Sequence, residues 1–329
     1  MIFGKDLTNG IKIALAEKNV FVVTDENVFQ LYKDLFPKKT FVIKPGEDQK
    51  HLGTVADICA FLHTNGAERQ AKVLAVGGGV VGDISGFAAS VYMRGIPWAN
   101  VPTSLLALCD SSIGGKTGVD LGNYKNIIGT FHFPQEVYLS AHFIKTLPER
   151  EFICGIGEII KTACLSSDIF AFFTKNAKAV YQKDEVILER LIRLCAEFKD
   201  FVVKRDPYEK TGLRKTLNYG HTVGHAFEAA DNHRLSHGAY VLHGIRVENL
   251  LCKDIVDPVF FEVAERLVND ALGGEKTRFD INSAVEAAAG DKKNADGKIS
   301  VMAIIRPNEY REVFFTKNEF RQKLSDVLT

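Results

Sequence analysis

The chain has 329 residues, 46% of them hydrophobic and 25% charged, which is typical of a globular protein large enough for two domains. Its 41 basic residues balance 41 acidic ones, so no net charge favours nucleic acid or an anionic membrane as a partner. No apolar segment approaches the length of a membrane-spanning helix, and the six scattered cysteines form no C-x-x-C pair. We therefore predict a cytoplasmic protein with reduced thiols.

The first half alternates short apolar segments with segments of helical period. Strands are predicted at residues 20–24, 40–44, 72–76 and 98–101, and helices at residues 28–35, 51–65 and 81–93. Strands separated by helices are typical of βαβ units. We therefore predict an α/β domain with a mainly parallel, Rossmann-like sheet over residues 1–147.

The second half is predicted to be mainly helical, over residues 148–329. Most segments up to about residue 291 have helical period. In residues 184–204, for example, one apolar stripe contains Ile187, Leu191, Leu194, Cys195, Phe198 and Phe201. This stripe predicts ordinary core packing. Two strands, at residues 299–305 and 312–315, and a closing helix complete the domain.

Glycines cluster where the strand at residues 72–76 ends. Three glycines at 77–79 are followed by Val80, Val81, Gly82 and Asp83, and then by a helix of small residues. Glycines allow backbone N–H groups to approach a pyrophosphate, whose charge a helix N-terminus favours. The pattern predicts a dinucleotide site, although its strand is not the first in the chain, as it would be in the standard Rossmann order. A turn that serves only close packing is the alternative.

Several charged residues stand near predicted turns. Asp25 ends the first strand, and the turn at residues 45–50 offers a carboxylate for a ribose and an ammonium for a phosphate. Asp110, Lys116, Lys125 and Asn126 stand among glycines in predicted loops, which indicates an anion cradle. The alternative is that each lysine is an ordinary surface residue.

A set of imidazoles and a carboxylate predicts a metal site. His221 and His225 are four residues apart on a predicted helix, so both imidazoles point into the same space. His237 follows, and Glu158 lies upstream in an apolar helix, one face of which it shares with Lys161. Neutral imidazoles and a carboxylate suit a divalent metal, zinc above all. The alternative is that these are surface or core histidines. Gly220 and Gly224 leave the helix face bare for a ligand or another backbone.

Together these segments resemble the sugar phosphate cyclase family, and within it the 3-dehydroquinate synthases. The resemblance covers most of the chain. It rests on a series of motifs in the same order: GEDQK, GGGVVGDISGFAAS, YMRG, VPTSLLALCDSSIGGKTG, YKNIIGTF, TLPEREF, GEIIKTA, TGLRKTLNYGHTVGHAFEA, HGAYVLHGI and GDKKNADGK.

The resemblance implies roles for particular residues. Glu158, His221 and His237 match ligands of one divalent metal, zinc or else cobalt, and His225 then faces the substrate. The positions that match NAD contacts are Asp25, Gly46, Glu47, Lys50, Gly78, Gly79, Val80, Val81, Gly82, Asp83, Thr103, Ser104, Lys116, Lys125, Phe143 and Thr146. The positions that match substrate contacts are Asp110, Lys116, Lys125, Asn126, Lys161, Lys199, Arg214, Asn218, His225 and either Lys292 or Lys293. Arg94 matches an arginine that reaches the substrate phosphate of the neighbouring subunit, which implies a homodimer.

The resemblance also implies a reaction: conversion of 3-deoxy-D-arabino-heptulosonate 7-phosphate to 3-dehydroquinate and phosphate in the shikimate pathway. Transient oxidation by NAD, phosphate elimination, re-reduction and intramolecular aldol closure would follow in turn. The alternatives are another sugar phosphate cyclase, an NAD-dependent metal polyol dehydrogenase of related fold, and a non-catalytic protein that binds a metal or nucleotide.

Two segments depart from the family pattern. The metal histidine is usually followed by Gly-Glu, but here the sequence is His237-Gly238-Ala239, which suggests that this histidine lacks a charged partner. The segment at residues 206–210, before TGLR, is one residue longer than usual. His233 and His243 flank His237 and are the alternatives to it as a ligand.

Overall fold

The computed structural model describes residues 1–3, 12, 14, 19–122, 124–231, 234–274, 277–290 and 297–328. The chain forms two compact units. The first comprises Met1–Pro148 and Lys183–Asp200, and the second comprises Glu149–Gln182 and Phe201–Thr329. Among the described residues, no helix has the length and apolar character needed to cross a membrane.

The first unit is built on a parallel six-stranded sheet. Its strands are β1 (Ile2–Phe3), β2 (Val20–Asp25), β3 (Thr40–Ile43), β4 (Lys72–Gly77), β5 (Trp98–Pro102) and β8 (Glu136–Leu139), in the order β1-β8-β5-β4-β2-β3. Its helices are α1 (Glu26–Leu31), α2 (Leu52–Thr64) and α3 (Gly79–Val91). The predicted α/β class is therefore confirmed, although the helix predicted at residues 28–35 is wrong in its extent, because α1 ends at Leu31 and a 3₁₀ helix follows at Lys33–Leu35.

Hydrophobic side chains cover both faces of this sheet. Along β2, Phe21 and Val23 pack in one core cluster, with Ile58 of α2 and Ile84 of α3. Their neighbours Val20 and Val22 pack in the other cluster, which includes Val28 of α1. Side chains of a strand alternate between the two faces, so a continuous apolar strand is what a sheet covered on both sides requires.

The first unit also contains an antiparallel hairpin, in a segment that was predicted to form loops. Strand β6 (Lys116–Leu121) pairs with β7 (Tyr124–Phe131), so Lys116, Lys125 and Asn126 lie on strands or at their ends. Val119 is fully buried, and Ile128 opposite it packs against the core. Gly118 faces Gly129 across the hairpin, and a methyl group on either would overlap the backbone opposite. These glycines obscured the strand pattern, because glycine is depleted in strands.

The second unit is mainly helical. It contains α4 (Glu149–Leu165), α5 (Ser167–Tyr181), α7 (His221–Ala230), α8 (His237–Leu251), α9 (Pro258–Leu272), α10 (Ile281–Ala289) and α11 (Lys317–Leu328), with an antiparallel hairpin of β9 (Ile299–Arg306) and β10 (Glu309–Phe315). Helix α6 (Glu185–Arg205) belongs to the first unit up to Asp200. The first-unit contacts of α6 include Glu189, which accepts a hydrogen bond from the N–H of Ala141, and Arg193, which lies over the Phe3 ring.

The stripe predicted along α6 is partly wrong. Leu191 and Cys195 are buried as expected, but Phe201 is 50% exposed and its ring lies under the guanidinium of Arg205. The buried face instead continues through Lys199 and Val202. A lysine on the buried face was unexpected, because lysine is rarely buried without a partner.

Candidate functional site

Three helices of the second unit bring the predicted metal ligands together. Helix α4 carries Glu158, α7 begins at His221 and carries His225 one turn later, and α8 begins at His237. The centroids of the three imidazole rings are 5.1 to 5.6 Å apart. One nitrogen of each ring lies within 4.8 Å of a nitrogen of the other two, so the three form a cluster that could hold a metal ion.

The two carboxylate oxygens of Glu158 face different groups. Oε1 lies 3.4 Å from Nε2 of His221 and 3.2 Å from Nε2 of His237. Oε2 lies 2.5 Å from Nζ of Lys161, three residues later on α4, which confirms that these two residues share a helix face. Both side chains are only 2% exposed. One oxygen is therefore directed at the imidazoles while the other is neutralised by an ammonium group.

The remaining ring nitrogens also have partners. Nδ1 of His221 lies 3.1 Å from the carbonyl oxygen of Tyr219, and Nδ1 of His237 lies 3.4 Å from Oε2 of Glu228. Each contact favours a proton on Nδ1, so Nε2, on the side that faces Glu158, is the nitrogen available to a metal. This arrangement of two nitrogens and one oxygen fits a divalent cation. The prediction that His237 lacks a charged partner is wrong, because Glu228 supplies the carboxylate.

Burial and charge shift the pKa values in the cluster in different directions. Burial raises the pKa of Glu158, but Lys161 and His221 outweigh it and hold the pKa well below its usual value. Burial lowers the pKa of His221. Burial also opposes the charge of His237, but the carboxylates of Glu158 and Glu228 raise its pKa to about 9. The two carboxylates therefore favour the protonated form of His237.

A glycine-lined crossing positions α7 against α8. A methyl group on Gly244 would overlap the carbonyl oxygen of Gly220, and one on Gly224 would lie 2.8 Å from the carbonyl oxygen of Tyr240. The bare face predicted for Gly220 and Gly224 therefore receives another backbone. Gly220 itself has a φ of 76°, which glycine adopts without strain, and α7 begins directly after it.

Arg214 is held by its own loop. The carboxylate of Asp206 accepts hydrogen bonds from the N–H groups of Lys210, Thr211 and Arg214, at 2.7, 3.0 and 3.1 Å. The buried guanidinium of Arg214 donates to the carbonyl oxygen of Pro207 at 2.9 Å. The longer segment at residues 206–210 is thus a closed turn around Asp206. Asn218 ends the 3₁₀ helix Leu213–Asn218 that follows.

In the first unit, the residues that match NAD contacts follow the carboxyl ends of parallel strands. Asp25 ends β2, residues 46–50 follow β3, residues 78–83 follow β4, residues 103–104 follow β5, and residues 143–146 follow β8. Strand β3 lies on one side of β2, and the next strand in the chain, β4, lies on the other side of β2. The switch point of the sheet therefore lies between β2 and β4. Open α/β sheets bind nucleotides at this edge, near the switch point.

A small cavity adjoins the glycine turn. Its lining includes Gly78, Gly79 and Gly82 of the turn together with Asn100, Ser111 and Ser112. Within the described part of the chain, the buried atoms Asn100 Oδ1, Ser111 Oγ and Ser112 Oγ have no hydrogen-bond partner. Buried polar atoms of this kind indicate a place for a polar ligand. Val80 and Val81 lie within the first turn of α3, where Val81 is buried.

Other matched residues of this unit are already paired. Nζ of the buried Lys50 lies 2.8 Å from Asp83 and 3.7 Å from Glu47. Burial lowers the pKa of Lys50, but those two carboxylates raise it above its usual value. Asp25 caps α1 by accepting a hydrogen bond of 3.0 Å from the N–H of Val28. These contacts hold the loops at the sheet edge.

The matched substrate residues of the first unit are only partly brought together. Nζ of Lys199 lies 2.9 Å from Oδ1 of Asp110, and it also donates to the Asp110 carbonyl oxygen at 2.7 Å. Lys116, Lys125 and Asn126 are exposed on the hairpin of β6 and β7. Asp110 is therefore paired with Lys199, the other three side chains lie exposed on the hairpin, and the anion cradle stays a prediction.

Arg94 lies in a strained turn after α3. Met93 and Arg94 have φ values of 47° and 69°, in the left-handed region that L-residues rarely adopt, and Gly95 follows with 115°. Residues held in this region cost about 1–3 kcal/mol each. The Arg94 side chain is exposed and has no ion pair or hydrogen bond with any described residue.

Four predicted residues need separate mention. Lys292, Lys293 and His233 lie outside the described residues. His243 is buried on α8, with its ring 5.2 Å from that of Phe279, and it is not part of the imidazole cluster.

Sequence reasoning missed Glu228, although its position seven residues after His221 places both on one face of α7.

Two family models together match most of the chain. Residues 40–154 match the family model for the 3-dehydroquinate synthase N-terminal domain, and residues 155–294 match that for the C-terminal domain. The chain belongs to the 3-dehydroquinate synthase family. The 3-dehydroquinate synthase of Alkaliphilus metalliredigens is 38% identical over 96% of this chain and 92% of its own length.

Solved structures show that the family fold extends to related cyclases. A 2-epi-5-epi-valiolone synthase from Streptomyces hygroscopicus, solved with NAD⁺ and Zn²⁺, has a TM-score of 0.89 and 25% identity, covering 99% of this chain and 95% of its own. A 2-deoxy-scyllo-inosose synthase has a TM-score of 0.86 and 23% identity, with 99% and 96% coverage. This second likeness concerns the fold alone.

Proposed function

We propose that this protein is a 3-dehydroquinate synthase, which converts 3-deoxy-D-arabino-heptulosonate 7-phosphate to 3-dehydroquinate and phosphate. The observation that carries the proposal is the buried cluster of Glu158, His221 and His237 beside Lys161, in a chain that matches both parts of this family. The cluster supplies a metal site, and the family match supplies the substrate.

The residues present fit both cofactors. Glu158, His221 and His237 would hold one divalent metal, zinc or cobalt, and the loops from Asp25 to Thr146 at the carboxyl edge of the sheet would hold NAD. When bound, NAD accepts and later returns a hydride, and the metal stabilises negative charge on a substrate oxygen. The division into an NAD-binding part, residues 1–147, and a metal- and substrate-binding part, residues 148–329, belongs to the same proposal.

The protein's own side chains have defined tasks in this reaction. Lys161, Lys199 and Arg214 supply positive charge for the substrate's carboxylate and phosphate, and Arg214 can form the bidentate contact that a guanidinium favours. His225, whose ring is close to both metal-binding imidazoles, can move a proton to or from the bound substrate. Asp110, Lys116, Lys125, Asn126, Asn218 and Lys292 would orient the substrate in one conformer, which suppresses wrong ring closure.

Two rival activities share the fold. Another sugar phosphate cyclase would act on a different sugar phosphate, but the valiolone synthase of S. hygroscopicus is 25% identical to this chain, against 38% for the dehydroquinate synthase of A. metalliredigens. A polyol dehydrogenase would release NADH. It would not need the set of cationic residues that the resemblance to the synthases assigns to phosphate and carboxylate.

We further propose that the protein forms a homodimer in which Arg94 reaches the site of the partner subunit. Arg94 is exposed in a strained turn, and a conformation of that cost is retained where function requires it. The hairpin of β6 and β7 offers a surface for self-association. Among the described residues β7 pairs only with β6, and Tyr124, Ile127 and Phe131 are 71%, 50% and 42% exposed.

One assay tests the proposed function. Purified protein is incubated with the heptulosonate phosphate, zinc and substoichiometric NAD, and the products are identified. We expect equal amounts of 3-dehydroquinate and phosphate, with no lasting NADH. One NADH per substrate would instead identify a dehydrogenase, and turnover only of another sugar phosphate would identify a different cyclase. The His237→Ala variant should lose metal and activity together.

The cytoplasmic location predicted from the sequence stays a prediction. All six cysteines are free, and all except Cys59 are buried, which is consistent with a reducing compartment.

A further inference from the structure

A buried carboxylate that the proposed reaction does not use lies beside one of the metal histidines. Glu228, 5% exposed, follows His221 by seven residues on α7, and its Oε2 lies 3.4 Å from Nδ1 of His237 on α8. The opposite ring nitrogen, Nε2, lies 3.2 Å from Oε1 of Glu158. The imidazole of His237 therefore stands between two carboxylates, one on the metal side and one on the far side.

The partner of Nδ1 in His237 is a side chain, whereas the partner of Nδ1 in His221 is a backbone oxygen. His221 directs Nδ1 at the backbone oxygen of Tyr219, two residues earlier in its own chain segment. His237 has no such local anchor, because α8 begins with it and its Nδ1 faces a side chain of another helix. The residue two positions later is Ala239, so the first turn of α8 offers no carboxylate.

We propose that Glu228 is a positioning residue for the metal: its carboxylate accepts the Nδ1 proton of His237 in a hydrogen bond and keeps Nε2 directed at the cation. The inference rests on the proposed metal site and goes beyond it, because it assigns a role to a residue that is not a ligand. A carboxylate behind an imidazole fixes the ring tautomer and orientation and makes the ligating nitrogen more basic.

The inference predicts a defined loss of metal affinity. Loss of such an outer partner usually weakens binding about 10–100-fold. We expect that loss for Glu228→Ala. Glu228→Gln keeps an oxygen that can accept the Nδ1 proton but removes the charge, so its affinity should fall between that of the wild type and that of Glu228→Ala.

The experiment uses the full-length protein freed of metal and titrated with Co²⁺ and with Zn²⁺ against a chromophoric chelator. Dissociation constants are measured for wild type, Glu228→Ala and Glu228→Gln, and the visible spectrum of the Co²⁺ forms is recorded. We expect altered Co²⁺ bands in Glu228→Ala, because His237 loses its orientation, and bands close to wild type in Glu228→Gln. A purely structural role would not produce this order of spectra.

Glu265→Gln is the matched control, since Glu265 is a half-buried carboxylate of the same unit that pairs with Arg246 and not with a histidine. Its metal affinity should equal that of wild type. Wild-type affinity and spectrum in both folded Glu228 variants would overturn the inference while leaving the proposed metal site intact. If Glu228→Ala does not fold, the nearly isosteric Glu228→Gln decides on affinity alone, and a wild-type dissociation constant would count against the inference. A wild-type protein that binds neither ion would remove the metal site itself.

Discussion

The buried carboxylate of Glu248 accepts a hydrogen bond of 2.7 Å from the backbone N–H of Gly220, the residue immediately before His221. Its other oxygen accepts a bond of 3.0 Å from the N–H of Val223. The first N–H groups of a helix have no partner within the helix, and its N-terminus favours negative charge. Glu248 lies in the last turns of α8, so one carboxylate joins the helix that begins with His237 to the start of the helix that begins with His221.

Removal of this carboxylate should weaken both folding and metal binding. In Glu248→Ala, two buried N–H groups lose a charged acceptor, which should lower the free energy of unfolding by about 2–4 kcal/mol. His221 should also lose its fixed position, with a weaker affinity for Zn²⁺. Urea unfolding and chelator competition measure the two effects. The exposed Glu262→Ala change is the control, and equal values for the two variants would contradict the role of Glu248.

The contact between α7 and α8 predicts that Gly244 tolerates no side chain. A methyl group there would overlap the carbonyl oxygen of Gly220, the residue immediately before His221. Gly244→Ala should therefore lower the free energy of unfolding by about 3 kcal/mol. In the control Gly290→Ala, the added carbon would lie 3.5 Å from its nearest neighbour, so this variant should unfold like the wild type. Thermal or urea unfolding distinguishes the two.

The sequence predicted the parallel sheet for a plain physical reason. The buried strands are continuous apolar segments, as in β2 and β4, and each signal is local in the chain. The hairpin of β6 and β7 was not predicted, because Gly118 and Gly129 permit close approach of the two strands but interrupt the apolar alternation. Strand β7 is also mostly exposed, so apolar periodicity could not reveal it.

Contacts between distant residues limited the prediction of the site. The four-residue spacing of His221 and His225 predicts their proximity, and the rings are indeed 5.1 Å apart. No spacing, however, relates Glu228 to His237, which meet only because α7 crosses α8. The same holds for Lys199 and Asp110, a buried pair separated by 89 residues. The departure at Ala239 therefore suggested a missing charge that another helix supplies.

The loop that holds Arg214 yields a prediction about substrate binding. Burial raises the pKa of Asp206, but the three N–H groups it accepts from outweigh this and lower the pKa to about 2. Asp206→Asn replaces one accepting oxygen with an NH₂ group, which cannot accept those bonds. We expect KM for the heptulosonate phosphate to rise about tenfold, the equivalent of one lost hydrogen bond, with little change in NAD binding. Steady-state kinetics test this prediction. An unchanged KM would mean that Asp206 does not hold Arg214 in place for the substrate.

The same carboxylate predicts how the loop depends on pH. A lowered folded pKa means that the contribution of Asp206 to stability is complete above its usual pKa of about 4 and is lost as pH falls towards 2. Neutral conditions should leave the loop intact. The exposed Asp254→Asn variant serves as the control for the measurement of KM and for the measurement of stability against pH.

His243 should make the protein sensitive to mild acid. Its burial lowers its pKa to about 4, so the folded protein holds it neutral while the unfolded chain takes up a proton near pH 6.5. Its contribution is therefore complete above pH 6.5 and declines as pH falls towards 4. Between pH 7 and pH 5, His243→Leu should lose about 2 kcal/mol less unfolding free energy than the wild type. Urea unfolding of both proteins at each pH measures the difference, and parallel losses would contradict the assignment.

The last prediction concerns Arg94 and the partner subunit. Arg94→Ala should raise KM for the phosphorylated substrate strongly, because a guanidinium that binds phosphate through two bonds is lost. NAD and metal binding should change little, since Arg94 has no hydrogen bond or ion pair to any described residue. The decisive experiment mixes the Arg94→Ala variant with the Lys116→Ala variant. Lys116 is exposed, so the loss of activity expected in its variant would not result from misfolding. In a mixed dimer with exchanged arginines, one of the two sites has both residues intact, and random exchange should restore about a quarter of wild-type activity. Mixed dimers that stay inactive would mean that Arg94 does not serve the partner's site.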